Sequence, residues 1–293
     1  MLKKLVELAH SPDADDIFMY AALELGILSA PRFSFKACAK DIQTLNEDAL
    51  RALFDVCAIS FALYPKIAHS YSLLRTAISY GQGYGPKLIK KKDSVLKRNF
   101  KVALSGEHTT NALLFRLIYK DARIVYKNFL DIEAAVLSGE VEAGVLIHES
   151  ILDFDSSLCV EREIWDIWQD LSLQNCSKIL PLPLGGMAIR RSLPLIDAIE
   201  IEELLTKAVE LGVKHKKLIS KMLLERNRVR VDKKSLDIYL NLYANEESSS
   251  LSEVQLEALD LLFALGHKAG FYKEKIEAKN YLIPKEYKDL RYE

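Results

Sequence analysis

From Val6 to Ser60 the chain switches repeatedly between two hydrophobic periods, and this limits it to few architectures. Val6–His10 is a short apolar run suited to a buried strand, and residues 15–26 carry apolar side chains at helical spacing. Residues 32–38 alternate with period two, residues 41–53 return to helical spacing, and residues 55–60 are again short, β-branched and apolar. Strand, helix, strand, helix, strand predicts a parallel α/β sheet.

Gly81 to Pro86 is the densest turn signal in the chain, and a basic, solvated stretch follows at Lys90–Asp93. A second series then begins: strand 102–104, helix 109–120, strand 123–126, helix 130–137 stopping at Gly139, and strand 143–147. Pro181 to Gly186 marks a return connection. Beyond it, residues 198–211, 216–225, 233–244 and 252–266 read as helices, with an exposed loop at 246–250. Two α/β lobes follow, one inserted in the other: residues 1–96 with 185–293, and residues 97–184. Linkers near 85–97 and 183–191 would form a two-stranded hinge, the arrangement that closes a cleft over a ligand.

The 40 Lys and Arg residues nearly balance the 41 Asp and Glu residues, leaving a net charge of −1. That balance argues against a nucleic-acid partner, which selects a basic excess or patch. The longest uncharged runs, Thr76–Pro86 and Ile179–Ile189, are eleven residues each, far short of the roughly 20 needed to cross a membrane. Behind Lys3 and Lys4 the apolar stretch is broken at Glu7 and Asp13, too soon for a signal peptide. Cys38, Cys57, Cys159 and Cys176 show no CxxC spacing, and the expected compartment is the cytoplasm.

Four places offer chemistry. His148 and Glu149 end an apolar strand, on the edge where open α/β sheets bind ligands. A histidine there serves either as a base, its ordinary pKa being about 6.5, or as a strand-end cap. Ser105 to Asn111 follows another strand and opens a helix. Free backbone N–H groups and the hydroxyls of Thr109 and Thr110 suit a carboxylate or phosphate, and simple N-capping fits equally well. His10 to Asp16 gathers carboxylates in the turn after the first strand, open to a metal reading and to a capping one. Ser60 closes a strand at the same sheet edge and reads as a hydroxyl donor, since GxSxG is absent. No Walker-type phosphate loop occurs. His69, His215 and His267 lie in helical patterns and read as structural.

In order along the chain stand Ser11-Pro12 with Asp16 and Phe18, Asp55-Val56 with Ser60, and Gly83 with Gly85-Pro86. His108-Thr109-Thr110, Ser138 to Gly144, Ile147-His148-Glu149 and Leu182 to Gly186 follow. Together they resemble the 1,4-dihydroxy-6-naphthoate synthase family of the futalosine route to menaquinone. The resemblance spans roughly residues 9–190. It implies a two-lobed fold of the type II periplasmic-binding-protein kind with a C-terminal helical region, kept in the cytoplasm. It also implies a lyase that splits cyclic dehypoxanthine futalosine into the naphthoate and a three-carbon fragment, with no cofactor and no metal. His148 would accept the proton. Ser60, Thr110 and Asn111 would line the pocket for a small-molecule carboxylate, with Ala58, Ile59 and Thr109 beside them. No nucleic acid or membrane partner is implied, and a homodimer is compatible. The alternatives are the related chorismate dehydratase and a non-catalytic small-acid binding protein. The family commonly reads Ser-Pro-Cys-Pro-Asn-Asp-Thr-Phe at its first turn; here Asp13, Ala14, Asp15 and Ile17 stand for the Cys, Pro, Asn and Thr.

Overall fold

A computed structural model describes residues 3–284. Residues 1–2 and 285–293, at the outer ends of the two segments assigned to the first lobe, lie outside the described residues.

The first sheet is built as the opening pattern predicts. Strand β1 (Lys4–His10) pairs in parallel with β2 (Phe33–Ala39) on one side and β3 (Val56–Ser60) on the other. Helices α1 (Ala14–Glu24) and α2 (Ile42–Leu50) make the crossovers. All five residues of β3 are buried, which is why this strand reads as an unbroken apolar run. After a 3-10 turn at Phe61–Leu63 come the short helix α3 (Tyr64–Ile67) and the short strands β4 (Tyr71–Leu73) and β5 (Ser79–Gly81).

The second sheet takes β6 (Lys87–Lys91), β7 (Lys101–Leu104), β8 (Arg123–Tyr126), β9 (Ala143–Leu146) and β10 (Leu158–Glu163), in the order β10-β6-β9-β7-β8. Between them run α4 (Thr110–Ile118) and α5 (Ile132–Ser138); α6 (Ile164–Cys176) follows β10. The chain then returns to the first sheet through β11 (Leu182–Arg190), which lies antiparallel to β3, β4 and β5. Four helices complete the first lobe: α7 (Leu195–Lys214), α8 (Lys216–Glu225), α9 (Lys233–Tyr243) and α10 (Glu253–Lys268). Helices α7, α8 and α9 pack on α1, while α10 covers β11. The result is a two-lobed α/β protein with its cleft between the carboxyl ends of the strands.

Several sequence expectations are corrected. Both sheets are mixed rather than parallel, because β11 enters the first antiparallel and β6 runs antiparallel to both its neighbours, β9 and β10, in the second. Lys87–Lys91 hydrogen-bonds into the second sheet, so that sheet begins before the border set at 96, and β11 straddles the border set at 185. Lys91, Lys92 and Asp93 are exposed, but Lys90 is half-buried in β6 and pairs with Glu161 of β10 at 2.8 Å. The return connection at Pro181–Gly186 is mostly strand, with a register shift between Pro183 and Gly185 that absorbs the proline. The loop at 246–250 contains a 3-10 turn whose Ser248 is buried.

Close approach of α5 to β9 depends on Gly144. A Cβ there would lie 2.5 Å from Ile132 Cγ2 and 3.0 Å from Val136 Cγ2. Gly144→Ala is therefore expected to destabilise the fold by about 1–3 kcal/mol through overpacking. A urea midpoint unchanged from the parent would contradict this.

Candidate active site

The cleft, counted with the open space at its mouth, holds about 750 Å³ free of atoms. Ala58, Ile59, Ser60, Thr109, Thr110, Asn111 and His148 all line it, whereas His10, Ser105 and Glu149, also singled out from the sequence, do not. The cleft has two chemically different ends.

One end is built from β3 and the start of α4. Ser60, at the last position of β3, is held by the buried Asn46 of α2. The Asn46 amide donates to Ser60 Oγ at 3.0 Å, and its carbonyl accepts from Ser60 N at 2.9 Å. The Ser60 O–H is thereby fixed in place without being consumed. Thr109 caps α4, its hydroxyl accepting from Ala112 N and donating toward Gly106 O at 2.9 Å. Thr110 Oγ1 donates to Leu184 O at 2.9 Å and accepts from Ala62 N at 3.2 Å. Both threonine hydroxyls are therefore committed within the protein. Among the described residues, the N–H groups of Thr110 and Asn111 have no acceptor, as the first turn of a helix leaves them. An anion at this end would meet backbone amides and Ser60 rather than threonine hydroxyls.

The other end joins the two lobes. Beyond β9 the chain turns through His148, whose φ of +54° lies in the left-handed region that non-glycine residues seldom adopt. The turn swings His148 out of the strand and aims Nδ1 at Asp13 of the first lobe, 2.7 Å away. Phe129 packs edge-on against the imidazole. Nε2 is buried and has no hydrogen-bond partner among the described residues. Burial pushes the His148 pKa down, but Asp13, with Glu149 behind it, outweighs burial and raises it to about 9. For Asp13, burial acts to raise the pKa, and His148, Ser11 and Arg230 together lower it instead.

Asp13 occupies the N-cap position of α1, yet its side chain does not cap the helix. It accepts instead from His148, from the Ser11 hydroxyl and from Arg230 at 3.0 Å. The vacated duty passes to the opposite lobe: Glu149 Oε1 accepts from Ala14 N at 3.0 Å. Arg230, in the α8–α9 connection, reaches Glu149 at 3.5 Å and lies over the Phe129 ring. Asp16 accepts from Ser11 N at 2.7 Å; burial, only partly offset by His10, raises its pKa to about 6. The acidic turn is thus not a set of helix caps. No group of His, Cys, Asp or Glu among the described residues is arranged to hold a metal ion.

Residues that sequence reasoning missed complete the walls. Tyr239 and Tyr243, one turn apart on α9, present aromatic rings, and Tyr84 packs edge-on to Tyr243. Their i, i+4 spacing was a visible signal, although it reads equally as core. The partnership of Asp13 with His148, 135 positions apart, left no trace in the sequence.

Fold and site together define a two-lobed cleft protein of the periplasmic-binding-protein kind. The aliphatic-sulphonate-binding protein SsuA of Escherichia coli shares this fold at a TM-score of 0.66 and 11% identity, over 96% of this chain and 98% of its own. The protein AF1704 of Archaeoglobus fulgidus superposes with a TM-score of 0.83 and 30% identity, over 91% of this chain and 98% of its own. The family model for menaquinone biosynthesis matches residues 6–268, and the chain belongs to that family. Two relatives are each 28% identical to it and are named 1,4-dihydroxy-6-naphthoate synthase. That of Thermus thermophilus aligns over 90% of this chain and 95% of its own length, and that of Streptomyces coelicolor over 85% and 88%.

Proposed function

We propose that this lyase of menaquinone biosynthesis acts on cyclic dehypoxanthine futalosine, releasing 1,4-dihydroxy-6-naphthoate without a cofactor, with His148 as general base. The observation that carries this reading is the His148–Asp13 pair: one ring nitrogen bound to a buried carboxylate, the other unpartnered at the cavity. Asp13 fixes the tautomer that leaves Nε2 free to accept a proton, and its charge stabilises the imidazolium that results. The amides of Thr110 and Asn111, with Ser60, suit the aromatic carboxylate, and the tyrosine rings of α9 suit its planar ring system. Because both lobes supply the dyad, proton transfer is assembled only when the cleft is closed.

The test is incubation with cyclic dehypoxanthine futalosine and detection of the naphthoate by mass spectrometry. Tight binding without turnover would point to a binding protein instead. Ser60→Ala is expected to raise KM about tenfold or more with little change in kcat, since a hydrogen bond to a charged acceptor is worth about 1.5–3 kcal/mol. Unaltered KM would remove Ser60 from the contact.

A further inference from the structure

Asp15 is the one acid of the first turn that the site described above does not use. It occupies the second position of α1, is 7% exposed, and lines the cleft. Asp13 and Asp16 are satisfied by Ser11, His148 and Arg230, but Asp15 has no hydrogen bond or ion pair among the described residues. Ionisation is disfavoured there, because withdrawing a carboxylate from most of its water without a partner is costly.

We propose that Asp15 sets the orientation and selectivity of ligands in this cleft, donating its O–H to an uncharged carbonyl or hydroxyl oxygen and rejecting ligands that bring a carboxylate to that end. The inference rests on the lyase reading for the ligand class alone. Its surroundings agree on the charge state. Asp13 and Asp16 on its own turn and Glu149 from the opposite lobe disfavour another negative charge, and only His148 opposes them. Tyr239 and Tyr243 of α9 line the same cleft, Tyr84 and Tyr20 would also feel a charge on Asp15, and none of the four offers a cation. Arg230 is already taken by Asp13 and Glu149. Burial, followed by these neighbouring carboxylates, holds the Asp15 pKa well above the ordinary carboxylate value. A ligand with one carboxylate then has one favoured orientation: the anion on the Thr110 and Asn111 amides, the neutral oxygen on Asp15 beside His148.

Two measurements test this. The ligand-free protein at pH 7 should show an infrared carboxylic-acid carbonyl band that Asp15→Asn removes. By calorimetry, the parent should bind 2-naphthoate at least about tenfold more tightly than naphthalene-2,6-dicarboxylate, and Asp15→Asn should shrink that preference. For 1,4-dihydroxy-6-naphthoate, Asp15→Ala should weaken binding about tenfold, while Asp15→Asn, whose amide still donates, should restore it to within about threefold. The proposal is overturned if no such band is assignable to Asp15, if the two acids bind alike, or if Asp15→Ala binds like the parent. Absence of turnover with these results intact would reject the lyase reading and leave the role of Asp15 standing.

Discussion

Replacing His148 by Asn is expected to lower kcat by about 10²–10⁴-fold, the usual worth of general acid–base catalysis. Asparagine is the informative choice for two reasons. His148 sits at φ +54°, and Asn is among the few residues that tolerate the left-handed region, so the turn after β9 survives. The amide also retains a hydrogen-bonding group toward Asp13 while losing the nitrogen that titrates. Binding of 1,4-dihydroxy-6-naphthoate should stay within about threefold, since its carboxylate is held at the opposite end of the cleft. Some stability will be lost, because Asp13 keeps Ser11 and Arg230 but no longer faces an imidazolium. Single-turnover rates, with circular dichroism to confirm folding, separate these effects. A folded His148→Asn protein with near-parental kcat would mean that His148 does no more than tie the lobes together through Asp13.

What could be read in advance follows from which interactions are local. The first sheet was legible because β3 and the second half of β1 are buried and α1 and α2 carry their own periodicity, so each element announces itself within a few residues. Strand β11 was not, because Pro183 and the adjacent glycines signal turns, and only pairing with β3 makes a strand of them. Helix α6 has Ile164, Ile167, Trp168 and Leu171 buried at helical spacing, a pattern that was present and went unread. At the site, strand ends and a helix start were legible, but they do not share one sheet edge. Ser60 ends a strand of the first sheet, Thr110 and His148 follow strands of the second, and the cleft brings them together. The hydroxyl of Thr110 seemed available from sequence, but folding gives it to Leu184 and Ala62, which no local pattern encodes. The role of Asp13 is illegible for the same reason. In sequence it stands where a cap belongs, and its charge is more strongly stabilised by His148, Ser11 and Arg230 across the cleft.

The dyad also makes a pH prediction with a definite sign. The active base is neutral His148, and Asp13 keeps the ring protonated up to about pH 9 in the free enzyme. The kcat/KM of the parent should therefore climb about tenfold per pH unit on the acid side and level off above pH 9. Asp13→Asn removes the main charge that favours imidazolium but leaves the burial that disfavours it. Its limb must move to lower pH, toward or below the ordinary histidine value of about 6.5. At the plateau the variant should be slower by about 10²–10⁴-fold, since a neutral amide neither stabilises the imidazolium formed on proton transfer nor sustains a strong base. At pH 6 the comparison narrows, because the parent then holds only about one neutral ring in a thousand while the variant holds many more. The ratio of parental to variant kcat/KM should thus grow with pH between 6 and 9. A ratio constant across that range would show that Asp13 acts on folding or closure and not on the protonation of His148.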